Sequence, residues 1–315
     1  MARRTWLGQT ALIATLAIAS VACGSFGGLK AKKHFKDANG LYTQGEYRKA
    51  AAEYEEALKA DPQLTAAYFY LANSYDNLYK VARKGEAEND AFLEKAVKNY
   101  KLASEKQTDP KEKALSLKFL AAAYGADKLN DPSQAEPVVK QLIEMDPKDT
   151  GSYFGLAKLY EDAGRFEEAE GALLKAKDAA PNEKDVYLQL AAFYAKRGDF
   201  EKAIAAHEQR AAIEPNNPEA YWTLAAFFEE KVRKDYRLAP QVKRDYILKG
   251  ITYVDKAIQI KPDFFEAITY KNLLLRQQAL VEKDPKRAAE LVKEADALRD
   301  RAIELRDLKA KGVGA

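Results

Sequence analysis

The sequence predicts an all-α protein built from repeated helical hairpins. The first observation is a repeat: Gly164–Asn182 recurs as Gly198–Asn216, and a glycine, a phenylalanine, an alanine and a proline each return after 34 residues. A fixed period of this length overrides the two globular domains that a chain of 315 residues would otherwise suggest. The second observation is composition. Charged residues make up 31% of the chain, and Ala, Lys, Glu and Leu are abundant, which favours helix throughout.

The N-terminal segment predicts a secretory signal. Two arginines precede an apolar run that is too short and too interrupted for a confident spanning helix and that ends in small residues. The segment IASVACGS around the only cysteine resembles the bacterial lipobox. The resemblance implies removal of residues 1–22 and acylation of Cys23, and Gly24 resembles the enterobacterial signal for sorting to the outer membrane. Conventional cleavage after Ala22 and an uncleaved anchor are the alternatives.

Residues 23–29 are predicted to be a lipidated tether, with helix from Lys30 onward. Because six extended residues reach only about 20 Å, the repeats would lie close to the bilayer. The expected location is therefore the bacterial cell envelope, at the outer membrane and facing the periplasm.

The periodic segment resembles the tetratricopeptide repeat (TPR). In each unit, bulky residues at positions 4, 7 and 11 form one helical stripe, and small residues at positions 8, 20 and 27 allow two helices to approach closely. Glycine permits the turn between them, and proline ends the second helix. The resemblance implies a right-handed superhelical solenoid of about six repeats over residues 30–264. It rests most clearly on Tyr153, Leu156, Ala157, Tyr160, Gly164, Phe166, Ala169, Ala176 and Pro181, and on their counterparts one repeat later.

Two of the units are much longer than the period. The second carries extra residues near 76–95, and the sixth carries them near 229–249. We expect both insertions to lengthen the turn inside a hairpin. Residues 265–315 are expected to form a C-terminal capping pair of increasingly polar helices and a tail, because a solenoid must end in a surface that faces water.

Few residues could support catalysis or metal binding. The chain has two histidines and one cysteine, and it contains no P-loop, no glycine-rich dinucleotide motif and no His-Glu-x-x-His. His34 lacks metal-ligand neighbours, and His207 is predicted to be a core side chain at a hairpin seam. We therefore expect no enzymatic activity, no metal and no cofactor. A formal net charge of +3 gives no strong general attraction to nucleic acid.

The concave face of the solenoid is the predicted protein-binding surface. Positions 2, 5, 9 and 12 of each first helix lie opposite the packed stripe. Aromatic residues occupy the fifth position in four of six repeats, which is more than a solvated face normally carries. The alternative is that these aromatics pack against the next repeat. The predicted groove residues are Phe35, Asn39, Phe69, Asn73, Phe154, Lys158 and Trp222.

The second insertion predicts a docking edge. It contains seven bases and four acids, whereas the first insertion has no such excess. An acidic protein, an anionic headgroup or a glycan would complement it. The alternative is that the insertion only lengthens two helices with solvated charges. The predicted basic edge comprises Arg233, Lys234, Arg237, Lys243 and Arg244.

Together these features favour a lipid-anchored scaffold or adaptor that binds peptide segments or partner subunits. The anchor and the repeats resemble TPR lipoproteins of outer-membrane protein assembly and of pilus secretion machinery. A periplasmic adaptor for cell-wall (murein) enzymes is the alternative. An enzyme or transporter component with unrecognised active residues is a third hypothesis.

Overall fold

The computed structural model describes residues 27–312, and this range contains fourteen α-helices and no strand. The first eight are α1 (residues 27–43), α2 (Tyr47–Ala60), α3 (Thr65–Leu78), α4 (Ala87–Lys106), α5 (Pro110–Tyr124), α6 (Pro132–Met145), α7 (Thr150–Asp162) and α8 (Phe166–Ala179). They are followed by α9 (Lys184–Arg197), α10 (Phe200–Ile213), α11 (Pro218–Lys234), α12 (Pro240–Ile260), α13 (Phe265–Val281) and α14 (Pro285–Ala310). The prediction of an all-α helical repeat protein is confirmed.

Glycines form the tight turns inside three hairpins. Gly45, Gly164 and Gly198 have φ values of +78°, +73° and +76°, a left-handed conformation that glycine adopts without steric cost. In each turn the next amide donates to a carbonyl five residues back, as Asp199 does to Tyr194 at 2.9 Å. This bond satisfies a carbonyl at the end of the first helix and fixes the direction of the second.

Asp-Pro and Asn-Pro pairs begin four of the helices. Proline suits the first helical position because its fixed φ is close to the helical value. The backbone N–H that proline lacks would have no partner within the helix at that position. The side chain before it caps the helix: Asp109 accepts from the amides of Lys111 and Glu112 at 2.8 and 3.0 Å. The same arrangement begins α6, α11 and α14. Pro110 therefore begins α5, although the repeat pattern expects proline after a second helix.

The predicted packing stripe lies in the core. The small residues of the frame are buried, among them Ala72, Ala157 and Ala191, which are at most 2% exposed. Tyr54 and Tyr100 fill the space between helices and are fully buried. Small and large side chains thus alternate across the helix pairs, as close helix packing requires.

The chain divides into two compact units, Met1–Ala172 and Leu173–Ala315. Within the first unit, each helix from α2 to α6 packs against the helix that follows it, so the series ends at α7. Within the second unit, α9 to α14 do the same, and α11 also contacts α13. The expected boundary at residues 264–265 lies inside the second unit, where α12 packs against α13.

The structure corrects two expectations about length. Residues 27–29, assigned to the tether, already belong to α1. The insertions mainly lengthen helices rather than turns: only residues 235–239 separate α11 from α12, and much of the first insertion forms the start of α4. The predicted signal peptide and Cys23 lie outside the described residues. No helix within residues 27–312 is both long and apolar enough to cross a membrane.

Candidate protein-binding site

The aromatic groove residues of the first unit pack internally. The ring of Phe35 lies 5.7 Å from Tyr54 and 6.0 Å from Tyr70, in tilted and edge-on contacts. Phe69 lies 5.4 Å from Phe119. All of these distances are within the range of favourable aromatic pairing. Both phenylalanines are half-buried and join α1 and α3 to their neighbours, so they are not free anchors for a ligand.

The predicted asparagines are also used within the fold. The Tyr54 hydroxyl donates to Asn39 Oδ1 at 2.6 Å. Asn73 is only 7% exposed, and its amide donates to the Tyr100 hydroxyl at 3.3 Å. Its Oδ1 accepts from the Tyr42 hydroxyl and from Asn77. Both asparagines therefore form hydrogen bonds within the fold, and Asn73 is largely buried.

A charged pair extends this network. The Tyr100 hydroxyl donates to Asp76 Oδ2 at 3.3 Å, and Lys128 forms an ion pair with the same carboxylate. Burial, reinforced by Asp76, raises the pKa of Tyr100, and burial also raises the pKa of Tyr54. Both phenols therefore stay neutral at physiological pH, and the network ties α3, α4 and the loop after α5 together.

A cavity lies on the same unit among α5, α6 and α7. Its volume is about 420 Å³, and it is open on one side. Small residues of α5 and α7 border it, including Ala122, Gly151 and Gly155, whereas Val139 and Leu142 of α6 give it apolar walls. Gly155 has no atom within 4 Å of the position that a Cβ would take, so the space arises from missing side chains.

Two lysines of the predicted inner face stand at this cavity. Lys118 and Lys158 both line it, as does Ala122, and all three occupy positions 5 or 9 of their repeats. Lys118 Nζ lies 3.0 Å from Asp149 Oδ2, and Lys158 pairs with Asp162. Burial tends to raise the pKa of Asp149, but hydrogen bonds from Lys118 and Ser152 outweigh it and lower that pKa. The cavity therefore combines an apolar interior with ammonium groups at its rim.

Phe154 and Trp222 remain apart from this cavity. Phe154 is half-buried on α7 and does not line it. Trp222, in the second unit, lies 5.9 Å from Phe264 and 5.8 Å from Tyr270. Its indole N–H is buried without a hydrogen-bond partner in the described structure. Trp222 therefore packs against α13 and the residue that precedes it.

The basic edge lies at the ends of α11 and α12. Arg233 pairs with Glu229 at 3.2 Å and Lys234 pairs with Glu230, each one helical turn away. Arg237 lies 3.4 Å from Asp235. Lys243 and Arg244 lie on the first turns of α12 and form no ion pair within the described part of the chain. The insertion is thus helical with several solvated pairs, but part of its positive charge is uncompensated.

The two histidines occupy different surroundings. His207 is buried against Phe227, with ring centroids 4.7 Å apart, and burial lowers its pKa to about 4. His34 Nδ1 lies 2.6 Å from Glu53 Oε2. Among residues 27–312, no group of three or more His, Cys, Asp and Glu side chains could hold a metal ion.

The cavity was not predicted from the sequence, although Lys158 was assigned to the inner face. Bulky side chains were the expected anchors, whereas the open space lies where large side chains are absent. The available signal was a pair of glycines, Gly151 and Gly155, in the first helix of a repeat. Of the two, Gly155 lies in the helix interior, where glycine costs about 1 kcal/mol relative to alanine, so it indicates a need for space.

Comparisons with known proteins identify the repeat. Three tetratricopeptide repeat models match residues 35–100, 128–192 and 184–227. No curated protein matches the sequence significantly. Among solved structures, the C-terminal part of a TPR repeat-containing protein from Cytophaga hutchinsonii is 16% identical, with a TM-score of 0.55. The match covers 86% of this chain and 98% of that one, and it supports the helical repeat fold.

Two further solved structures are similar over part of the chain. YrrB, described as a TPR protein with an unusual peptide-binding site, is 21% identical over 59% of this chain and 88% of its own, with a TM-score of 0.41. MamA from Desulfovibrio magneticus RS-1 is 17% identical over 59% of this chain and 96% of its own, with a TM-score of 0.45.

Proposed function

The chain belongs to the tetratricopeptide repeat family, and on that premise we propose that it is a protein-interaction scaffold that holds a peptide segment of a partner at the α5–α7 cavity. The observation that carries this proposal is the cavity of about 420 Å³, with apolar walls and with Lys118 and Lys158 at its rim. Recognition pockets for short segments combine such an apolar space with a few polar groups that fix orientation.

The lining suggests how the segment binds. A bulky apolar side chain of the partner would enter the space that Gly151, Gly155 and Ala122 leave open. The ammonium groups of Lys118 and Lys158 would donate to main-chain carbonyls or to a carboxylate beside it. Because each lysine already has an aspartate partner, a strongly acidic segment would have to displace Asp149 and Asp162.

A substitution that fills the cavity tests this proposal. In Gly155→Leu the new side chain would extend into the binding space, and its Cβ position has no atom of another element within 4 Å. Peptides selected from a random display library on the wild-type chain should bind this variant at least tenfold more weakly, as measured by fluorescence anisotropy.

Gly171→Leu is the matched control. Gly171 is also a helical glycine, on α8, with nothing within 4 Å of its Cβ position, but it does not line the cavity. The same peptides should bind this control with unchanged affinity. Equal binding to the wild type and to Gly155→Leu would exclude the cavity as the peptide site.

We further propose that the scaffold is anchored by a lipid on Cys23 and serves an assembly of the bacterial cell envelope. The support is the sequence IASVACGS after an apolar segment, with the only cysteine of the chain at the acylated position. Metabolic labelling with a palmitate analogue should tag the wild-type protein and should not tag Cys23→Ala. Labelling that persists in this variant would contradict lipidation at Cys23.

A further inference from the structure

Exposed apolar side chains lie at neighbouring helix ends of the second unit. Tyr236, in the turn between α11 and α12, is 91% exposed, and Leu280, at the end of α13, is 84% exposed. Leu248 of α12 is also exposed. The two ends are adjacent, because Arg244 and Leu248 line one surface depression together with Val281 and Lys283. We define the tip surface as the α11–α12 turn, the start of α12 and the α13–α14 turn.

Bases without an acidic partner surround these side chains. Lys243, Lys283 and Lys286 form no ion pair with other residues of the described range, and Arg244 bonds only to the Gln241 amide, at 2.8 Å. Over residues 229–249, seven bases outnumber four acids. Over residues 282–287, Lys283, Lys286 and Arg287 stand beside Glu282 and Asp284, so the two segments together carry ten bases and six acids. The helix ends that bear the exposed apolar side chains therefore carry an excess of positive charge.

We propose that the tip surface docks on an anionic lipid bilayer. Tyr236 and Leu280 are highly exposed at helix ends that also carry bases, and interfacial membrane segments combine apolar side chains that enter the acyl boundary with bases that meet anionic headgroups. A tyrosine at a turn suits the membrane interface, where its ring contacts the acyl boundary and its hydroxyl stays hydrated. Lys243, Arg244 and Lys283 would then lie at the level of the negatively charged headgroups.

The electrostatic contribution sets the expected size of the effect. One lysine or arginine near an anionic surface strengthens binding by about fivefold at moderate ionic strength. Neutralising Lys243, Arg244 and Lys283 together should thus weaken vesicle binding by on the order of 100-fold. Salt at about 0.5 M should have a similar effect, because it screens exposed charges beyond a few ångströms.

Site-specific fluorescence tests the proposal in the full-length chain. Cys23→Ser removes the only cysteine, so that Tyr236→Cys or Leu280→Cys can carry a single environment-sensitive NBD label. With vesicles of phosphatidylcholine and phosphatidylglycerol, both labels should shift to the blue and brighten several-fold. Pure phosphatidylcholine vesicles should produce little change, and the triple variant Lys243→Gln, Arg244→Gln, Lys283→Gln should need far more anionic lipid.

Asp263→Cys provides the control label. Asp263 is exposed in the turn at the other end of α12, about 30 Å from Tyr236 along that helix of 21 residues. Its emission should not change when vesicles bind. If the N-terminal segment alone binds vesicles, the labels at 236 and 280 stay unshifted, and the proposal is wrong. Unshifted labels, or binding insensitive to the triple substitution, would leave an acidic protein as the partner of this edge.

Discussion

At the scale of single residues, His207 is a buried base without a counter-charge. It is 6% exposed, its Nδ1 has no hydrogen-bond partner in the described structure, and Phe227 covers its ring. Burial lowers its pKa to about 4, below the ordinary value of about 6.5. Protonation therefore favours the unfolded chain. The stability that the neutral ring supports is complete above pH 6.5 and declines as the pH falls toward 4.

His207→Leu should remove this dependence. Between pH 7 and pH 4.5 the wild-type free energy of unfolding should fall by up to about 3 kcal/mol through this group, and the variant should lose much less. Urea denaturation at several pH values measures how the free energy of unfolding of each protein changes with pH. Parallel slopes for the two proteins would show that His207 is accessible to protons in the folded state.

Glu136 produces a second pH effect in a lower window. Its carboxylate accepts from Lys140 at 2.7 Å, from Arg165 at 2.6 Å and from the Tyr160 hydroxyl at 2.9 Å. These hydrogen bonds lower its pKa to about 2, so the stabilisation is present above the ordinary value of about 4.5 and is lost as the pH falls through 2.

Glu136→Gln should therefore cost about 1–3 kcal/mol at pH 7, and the difference from wild type should disappear near pH 2. Thermal melting across this range gives the measurement. Glu168→Gln is the control, because Glu168 binds the same Arg165 but is exposed, so its loss should matter far less. A Glu136 variant as stable as this control at pH 7 would contradict the network.

At the scale of helices, close contact depends on alanine at fixed repeat positions. Ala191 on α9 is fully buried, whereas its neighbour Ala192 is exposed. Ala191→Leu should overpack the contact and cost about 1–3 kcal/mol, and Ala192→Leu should change stability little. Chemical denaturation of the pair separates packing from helix propensity, since both variants gain the same side chain. Equal stability of the two variants would mean that the repeat frame is misplaced.

The same comparison shows how far the sequence predicts structure. Glycine turns, alanine contacts and the tyrosine stripe were predictable because each depends on spacing along one helix or one hairpin. The internal contacts of Phe35 and Asn73 were not predictable. They depend on the directions of the Tyr42, Tyr54 and Tyr100 side chains, which come from neighbouring helices. Helix periodicity gives a residue's face, but a long side chain on that face can still reach another element and become buried.

At the scale of the whole molecule, stability should be local. In each unit the helices contact mainly their neighbours along the chain, so a defect acts mostly on adjacent repeats. In a Trp6→Phe background, Trp222 reports only on the second unit. Leu71→Ala, in the first unit, should remove about 2–5 kcal/mol locally and shift the circular dichroism transition, with little effect on Trp222 fluorescence.

Leu224→Ala is the counterpart in the second unit, since Leu224 is fully buried on the same helix as Trp222. It should shift the fluorescence transition strongly. If both variants shift the two signals equally, the chain unfolds as a single cooperative body and the local description fails.

The cavity was predictable only in part. A glycine within α7 indicates a missing side chain, but that Val139 and Leu142 of α6 line the same space depends on how the helices pack together. The basic edge, in contrast, was predictable as a set of charges, but only the structure shows Tyr236 and Leu280 beside it.

The start of α1 at residue 27 has a consequence for how partners would meet. Three residues separate it from Cys23, and they span at most about 11 Å when extended. With a lipid on Cys23, the first hairpin would remain in a thin layer beside the membrane. Encounters with other proteins of that membrane would then occur by lateral diffusion, and their frequency would depend on density per area rather than on bulk concentration. Residues added between Cys23 and α1 should make such encounters less frequent without altering any contact in the fold.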